Sequence, residues 1–302
     1  MIIVVLIVLV LVFFIARLAP GDPAILLLGP DALPEDAEIL RERMGLNRSI
    51  IVQFFSFVSQ VFQGDLGNSI FFDRPVLEIM ASRAEPTILL SLMSLFVAVM
   101  IALPIGILSA YTRGSLFDQS AVATAMLAAA LPNFWVGLMM QKYFGTELGW
   151  FPVSGYGGPD ATFLDHIHHL ILPSIVLGFA QSALILRFSR ASMLDVLGDD
   201  YIRTARSKGI SERVVVLKHA LRNAMIPIVT VIGMSFALLI SGAVITERVF
   251  NLPGVGSLIV GAVLRRDYPM IQGALIVVAV MYVLINFLID MIYLLIDPRV
   301  KY

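Results

Sequence analysis

Five uninterrupted apolar stretches, near 86–111, 119–143, 170–188, 224–246 and 271–296, constrain this chain more than any other feature. A helix that crosses the hydrocarbon core of a bilayer needs about 20 mostly apolar residues, and each stretch is long enough. Pro104, Pro132, Pro173 and Pro227 lie inside or at the edge of these runs. A membrane helix tolerates them where neighbouring helices re-satisfy the freed backbone groups. A further run, Ile2 to Ala16, holds 15 residues, which reach only about 22 Å as a helix. It reads as a first transmembrane helix or as a cleaved signal peptide. With no positively charged start and no small-x-small cleavage site before Arg17, the helix is the reading adopted.

The whole composition points the same way. Of 302 residues, 59% are hydrophobic and 14% charged, where a soluble domain is about half apolar and a quarter charged. A net charge of −1 gives no basic field for nucleic acid. The absence of cysteine excludes disulfides, thiolate catalysis and Cys-based metal sites. The expected architecture is therefore all-α and polytopic, with six transmembrane helices. Its parts are a first helix (1–18), a helical loop region (19–85) and a five-helix core (86–302). The 13-residue apolar segment Leu252 to Leu264 is too short to count as a span and reads as re-entrant or interfacial.

The 19–85 region carries its own helix signals. Pro34 can open a helix whose first turn is acidic (Glu35, Asp36, Glu38) and whose end is basic (Arg41, Arg43) before Gly45, an order that suits the helix dipole. Ser49 can cap an apolar helix through Phe62, stopped by Gly64, and Pro75 can open another. Lys and Arg in the short connections set the orientation. With the N-terminus inside, eleven fall on the cytoplasmic side (Arg113, Arg187, Arg190, Arg203, Arg206, Lys208, Arg213, Lys218, Arg222, Arg299, Lys301) and four outside (Lys142, Arg248, Arg265, Arg266). Both termini, and the charged segment 199–223, are then cytoplasmic.

No G-x-x-x-x-G-K-[ST] is present, so the chain does not hold ATP through a P-loop. Spans two to six carry no ionisable residue at mid-depth; Lys142 and Asp290 sit toward ends. Ion-driven carriers usually keep intramembrane Asp, Glu or His as relays, and a polytopic membrane enzyme would need a nucleophile and base at that depth. An ion-coupled secondary transporter thus stays as the remote alternative, and no catalytic residue is assigned. Asp165-His166-Ile167-His168-His169 reads as a polar interfacial loop rather than a metal site, because such sites draw ligands from separated turns. Polar residues within spans are candidates to line a pathway: Asn133, Ser174, Gln181 and Ser235, with Thr230 and Asn286. Side chains of this kind more often join helices than touch a substrate.

The segment 199–223 is a strongly charged stretch between the fourth and fifth apolar spans. It reads as two short helices: Asp199 or Asp200 can cap the first, Gly209 supplies a positive φ after Lys208, and Ser211 can cap the second. Ala205 and Gly209, four apart, leave a shallow spot where another protein could come close. A docking helix and a solvated loop both fit these features.

Tyr201-Ile202-Arg203-Thr204-Ala205-Arg206-Ser207-Lys208-Gly209, followed by His219 to Ala224 and Pro227, resembles the coupling-loop signature of bacterial ABC-importer permeases. The match is to the dipeptide/oligopeptide/nickel branch, in its dipeptide-permease B-type subunit. The general pattern is Glu-Ala-Ala, three residues, Gly; here Arg203 and Thr204 replace the first two, while Ala205 and Gly209 keep it, a departure usual in the peptide branch. Arg17 to Pro23, Gly64 to Ser69, Glu247 to Gly254 and Arg266 to Pro269 match the same branch in order, so the resemblance runs from Ala16 to Tyr302. It implies a type I importer permease in the bacterial inner membrane, with 19–85 outside the cell membrane. The implied partners are a second homologous permease subunit, two cytoplasmic ATPase subunits carrying ATP and Mg, an extracytoplasmic solute-binding protein and membrane lipid. No cofactor or metal is implied in this chain. The implied coupling residues are Asp200, Tyr201, Arg203, Thr204, Ala205, Arg206, Lys208 and Gly209. The implied cargo is di- or oligopeptides, with glutathione or nickel chelates as alternatives.

Overall fold

The computed structural model describes residues 2–18, 23–28, 33–43, 45–158 and 160–296. Part of the Arg17 to Pro23 motif, the Asp290 side chain, Arg299 and Lys301 lie outside the described residues. Among the described residues there is no strand, only an isolated bridge between Asn68 and Pro75. The helices are α1 Ile2–Leu18, α2 Pro23–Leu28, α3 Pro34–Arg43, α4 Ile50–Phe62, α5 Val76–Tyr111, α6 Leu116–Ala130, α7 Asn133–Met140, α8 Phe163–Leu197, α9 Asp200–Ser207, α10 Glu212–Val214, α11 Leu221–Val249, α12 Val255–Arg265 and α13 Tyr268–Ile296. Wider, π-type turns extend α7 over Gln141–Glu147 and join α10 to α11 over Val215–Ala220.

Among the described residues, four helices are long and apolar enough to cross a membrane: Val76–Tyr111, Phe163–Leu197, Glu212–Val249 and Tyr268–Ile289. The expected span at 119–143 is instead a pair, Leu116–Ala130 and Asn133–Glu147, bent by 96°. The bend is local chemistry. Leu131, ahead of Pro132, is pushed out of the helical region to φ −74°, ψ 131°, and Pro132 has no N–H to continue the ladder. Six straight spans therefore become four, a fifth if the bent pair crosses as one, and the 17-residue α1, about 26 Å long.

The chain forms two compact units, Met1–Ala84 with Leu258–Leu284, and Glu85–Ser257 with Ile285–Tyr302. In the first, Leu9 and Val12 of α1 meet Phe57 and Val61 of α4 and Ile276 of α13, and the Phe13 ring lies 5.7 Å from that of Phe57. The Phe13 ring stands edge-on to Phe54 with centroids 5.2 Å apart. Ser49 occupies the N-cap position of α4 without a side-chain bond. Asp267 ties this unit together: Ser69 Oγ donates to it at 2.5 Å, the Ile70 and Phe71 amides each at 3.2 Å, and the Met270 amide, in the first turn of α13, at 3.2 Å. The motifs Gly64 to Ser69 and Arg266 to Pro269 thus meet through one buried contact, Ser69 on Asp267, with most of the flanking turn residues exposed.

In the second unit, α8 is the axis. Thr162 and Asp165 close a capping box at its start. Leu170, Leu172, Val176 and Leu177 of α8 join Leu90 of α5, Leu239 of α11, and Phe250 and Leu252 of the turn beyond α11 in one core. At Gly178 the α5 backbone comes so close that a Cβ would stand 2.5 Å from the Ser94 carbonyl oxygen. The carboxylate of Glu247, with 0% exposure, accepts from Thr87 Oγ1 at 2.6 Å and from the Ser257 amide at 2.8 Å, pinning the start of α12 to α11 and α5. A Cβ on Gly254 would run into that carboxylate. The Glu247 to Gly254 motif is accordingly a shielded turn at Glu247, Phe250 and Leu252, with only Arg248 and Asn251 turned outward.

Candidate functional site

The segment after α8 folds as one short helix, α9, and a stop at Gly209, as expected, but the second helix is not short: from Glu212 it runs on through Asn223 as the span Glu212–Val249. Asp199 holds the N-cap position of α9 in extended geometry, without a side-chain bond. Gly209 takes φ +76°, a conformation that strains any residue with a Cβ, and its amide donates to the Arg206 carbonyl at 2.9 Å. Ser211 stands at the N-cap of α10, where its carbonyl, not its hydroxyl, accepts from the Val214 and Val215 amides.

The inner face of α9 is Ile202 and Ala205, one turn apart. Both are buried against Met193 at the end of α8, Ala110 of α5, and Val215, Val216 and Ala220 before α11. Ala205 is 8% exposed, so the expected shallow spot does not exist. Helix α9 stops at Ser207 and Gly209 has already turned away, so the four-residue spacing no longer defines a shared face. Asp200, Tyr201, Arg203, Thr204, Arg206, Lys208 and Gly209 face outward, with Ser207 beside them.

Outward side chains also brace the segment. Asn223 Nδ2 donates to the Tyr201 hydroxyl at 2.7 Å, and that hydroxyl faces the His219 carbonyl at 3.4 Å. Arg206 Nε reaches Glu212 Oε1 at 2.7 Å, bridging the turn at Gly209. Arg203 approaches Asp200 at 3.4 Å. Lys208 has no ion pair among the described residues. Glu212 and Asn223 were not among the sequence candidates, and their pairing needs the hairpin path to be known.

Behind the segment lies a buried ion pair. Arg190 of α8 grips Asp118 of α6 with two bonds, Nε to Oδ1 at 2.6 Å and Nη2 to Oδ2 at 2.8 Å. Ser109 Oγ of α5 and the Gly114 amide add bonds of 2.5 and 2.9 Å to the same carboxylate. Every oxygen is satisfied, which a buried charge requires. Arg187 and Arg190, counted above as loop cations, belong to the body of α8.

The pathway candidates do not converge. Asn133 is half-buried at the first position of α7. The Ser174 hydroxyl donates to the Ile171 carbonyl at 2.9 Å, the usual local bond inside a helix. Ser235 Oγ and Gln181 Nε2 are buried without a hydrogen-bond partner among the described residues. None of the four borders the cavity of about 250 Å³ that Ile101, Ala121, Thr124, Phe179 and Ser182 line. The Thr230 hydroxyl bonds the Ile226 carbonyl at 3.0 Å. The three histidines go to different neighbours. His166 stacks on Tyr156 at 4.1 Å and lies 3.4 Å from Glu85, His168 faces Phe151, and His169 Nδ1 meets the Asp165 carbonyl. Burial first, then the Glu85 carboxylate, pushes the Tyr156 phenol above its ordinary range.

Comparison with known proteins matches this arrangement along the whole chain. Residues 102–302 match the family described as binding-protein-dependent transport system inner membrane component, and residues 1–99 match its N-terminal membrane-component family. A probable peptide ABC transporter permease protein, y4tP of Sinorhizobium fredii, is 42% identical over 97% of this chain and 94% of its own length. The glutathione transport system permease protein GsiC of Escherichia coli K12 is also 42% identical, over 97% and 93%. Among solved structures, an inward-facing MetNI methionine ABC transporter matches with a TM-score of 0.60 at 18% identity, over 72% of this chain and 96% of that one. An amino acid ABC transporter matches with a TM-score of 0.52 at 15% identity, over 74% and 95%. These likenesses are to the fold. The chain is a multi-pass membrane protein that belongs to the family of binding-protein-dependent transport system inner membrane components, the permease subunits of ABC importers, and is not itself an enzyme.

Proposed function

We propose that this permease passes di- or oligopeptides and that segment 199–223 receives the stroke of an ATPase. It pairs with a second homologous permease subunit, and two ATPase subunits hold the ATP and Mg. A solute-binding protein delivers cargo on the opposite side, where 19–85 lies, and both termini are cytoplasmic. The observation that carries the cargo reading is the 42% identity to a probable peptide permease along nearly the whole chain. Glutathione, itself a small peptide, is the second reading, favoured by equally similar glutathione permeases. The coupling reading is supported by α9 itself, whose inner face is anchored in the core while Arg203, Thr204 and Lys208 are exposed on its outer side. Family membership displaces the ion-coupled carrier.

The test is ATP-driven uptake of labelled dipeptide and of labelled glutathione by the assembled transporter in proteoliposomes. Dipeptide uptake that glutathione does not compete supports the first cargo. Reversing the outward charges, Arg203→Glu with Lys208→Glu, is expected to cut uptake more than about tenfold while the two permeases still co-purify, because like charges placed at a docking surface cost several kcal/mol. Undiminished uptake in that variant would rule out the coupling assignment.

A further inference from the structure

A groove of about 520 Å³ runs between the last turns of α5 and the start of the α10–α11 helix. Both walls belong to helices long enough to cross a membrane. Its size is that of a small-molecule site, but its lining is graded. Leu103, Pro104 and Ile107 of α5 face Val216 and Leu217 at one end. Tyr111, Glu212 and Arg213 are gathered at the other. The grading follows from antiparallel walls: α5 ends in its polar residue, while the opposing helix begins with its charged pair.

The charges at the polar end are not equivalent. Glu212 is already engaged by Arg206. Arg213 is exposed and has no ion pair among the described residues, so the net offer at the mouth is one cation above an apolar slot. We infer that this groove binds an anionic phospholipid, with an acyl chain along Leu103, Ile107 and Leu217 and the phosphate at Arg213 and the Tyr111 hydroxyl. Basic pockets between membrane helices hold anionic headgroups by this combination of apolar floor and cationic rim. The site does not depend on the cargo, but Glu212 and Arg213 lie within segment 199–223, so it rests on the reading that the ATPase meets the outer face of α9 and leaves Arg213 open.

The experiment uses the transporter as purified with its partners, placed in nanodiscs of equal parts phosphatidylglycerol and phosphatidylethanolamine, then extracted and analysed by native mass spectrometry. Phosphatidylglycerol is expected to stay bound, at about one per copy of this chain. Arg213→Gln should lower its retention roughly fivefold, the size of one basic contact with an anionic headgroup, and Arg213→Lys should keep it. Leu108→Trp, filling the slot, should expel both lipids. Equal retention by wild type and Arg213→Gln overturns the site, as does a preparation that holds no lipid. A crosslink from Ile107→Cys to another protein subunit overturns it too, by giving the groove a protein occupant. If Leu108→Trp fails to assemble, the Arg213→Gln and Arg213→Lys pair decides alone.

Discussion

The Asp118–Arg190 pair offers the most direct test of how α6 is held to α8. Replacing Asp118 with Asn keeps the shape but removes the charge, leaving Arg190 cationic with no carboxylate opposite. Breaking a buried pair from one side costs about 3–5 kcal/mol. The Arg190 side chain is 26% exposed, so water relieves part of that cost, and the lower figure, about 3 kcal/mol, is the expectation. At about 2–4 °C per kcal/mol for a chain of this class, the melting midpoint should fall by about 6–12 °C. Trp135 and Trp150 are the only tryptophans and sit in the same unit, so fluorescence during heating in detergent reads this region. The paired apolar replacement, Asp118→Leu with Arg190→Met, should recover most of the loss, since the cost lies in the orphaned charge. A fall of less than about 1 kcal/mol for Asp118→Asn, or a double variant no better than the single, would refute the reasoning.

Two further outcomes follow from the space beside two glycines. Gly178→Ala, which places a Cβ 2.5 Å from the Ser94 carbonyl oxygen and 2.9 Å from Val97 Cβ, should cost about 1–3 kcal/mol by overpacking in the same melt. Gly242→Ala, with nothing within 4 Å, should be neutral or stabilising by up to about 1 kcal/mol. The Arg206–Glu212 bridge is roughly 40% exposed on both sides, so Arg206→Ala and Glu212→Ala should each shift stability by no more than about 1 kcal/mol, and a double-mutant cycle giving a larger coupling would contradict that.

The spans were legible because an apolar run of this length has few alternatives in lipid, and the helix stops at Gly209 and Gly64 were legible because a positive φ is a property of one residue. The 96° bend was legible in principle: Leu131 before Pro132 is a local signal, and it prevailed over the apolar run that crosses it. Long-range polar pairing was not legible. Asp118 reads as an ordinary first-turn acid three residues after Ser115, and only the packing of α6 on α8 brings Arg190 to it. The motifs around Ser69 and Asp267 were each visible, but nothing within either one specifies the other as its partner.

Ala205 shows where the periodicity argument has to stop. Counting four residues from Ala205 to Gly209 assumes one continuous helix, and the helix ends between them. The relevant neighbour is Ile202, three residues back, and together they seat α9 in its own chain. On the coupling reading, a partner then grips the outer residues of a helix that is already fixed, not a notch beside an alanine. Ile202 packs in one cluster with Met193 near the end of α8 and Val215 on the approach to α11, so on that reading these are the contacts a push on α9 reaches first. From α8, the Arg190–Asp118 pair continues the connection to α6. A bulky residue at 205 would therefore loosen the seat before it blocked any partner, which is why the outward charges at 203 and 208, and not Ala205, separate docking from folding.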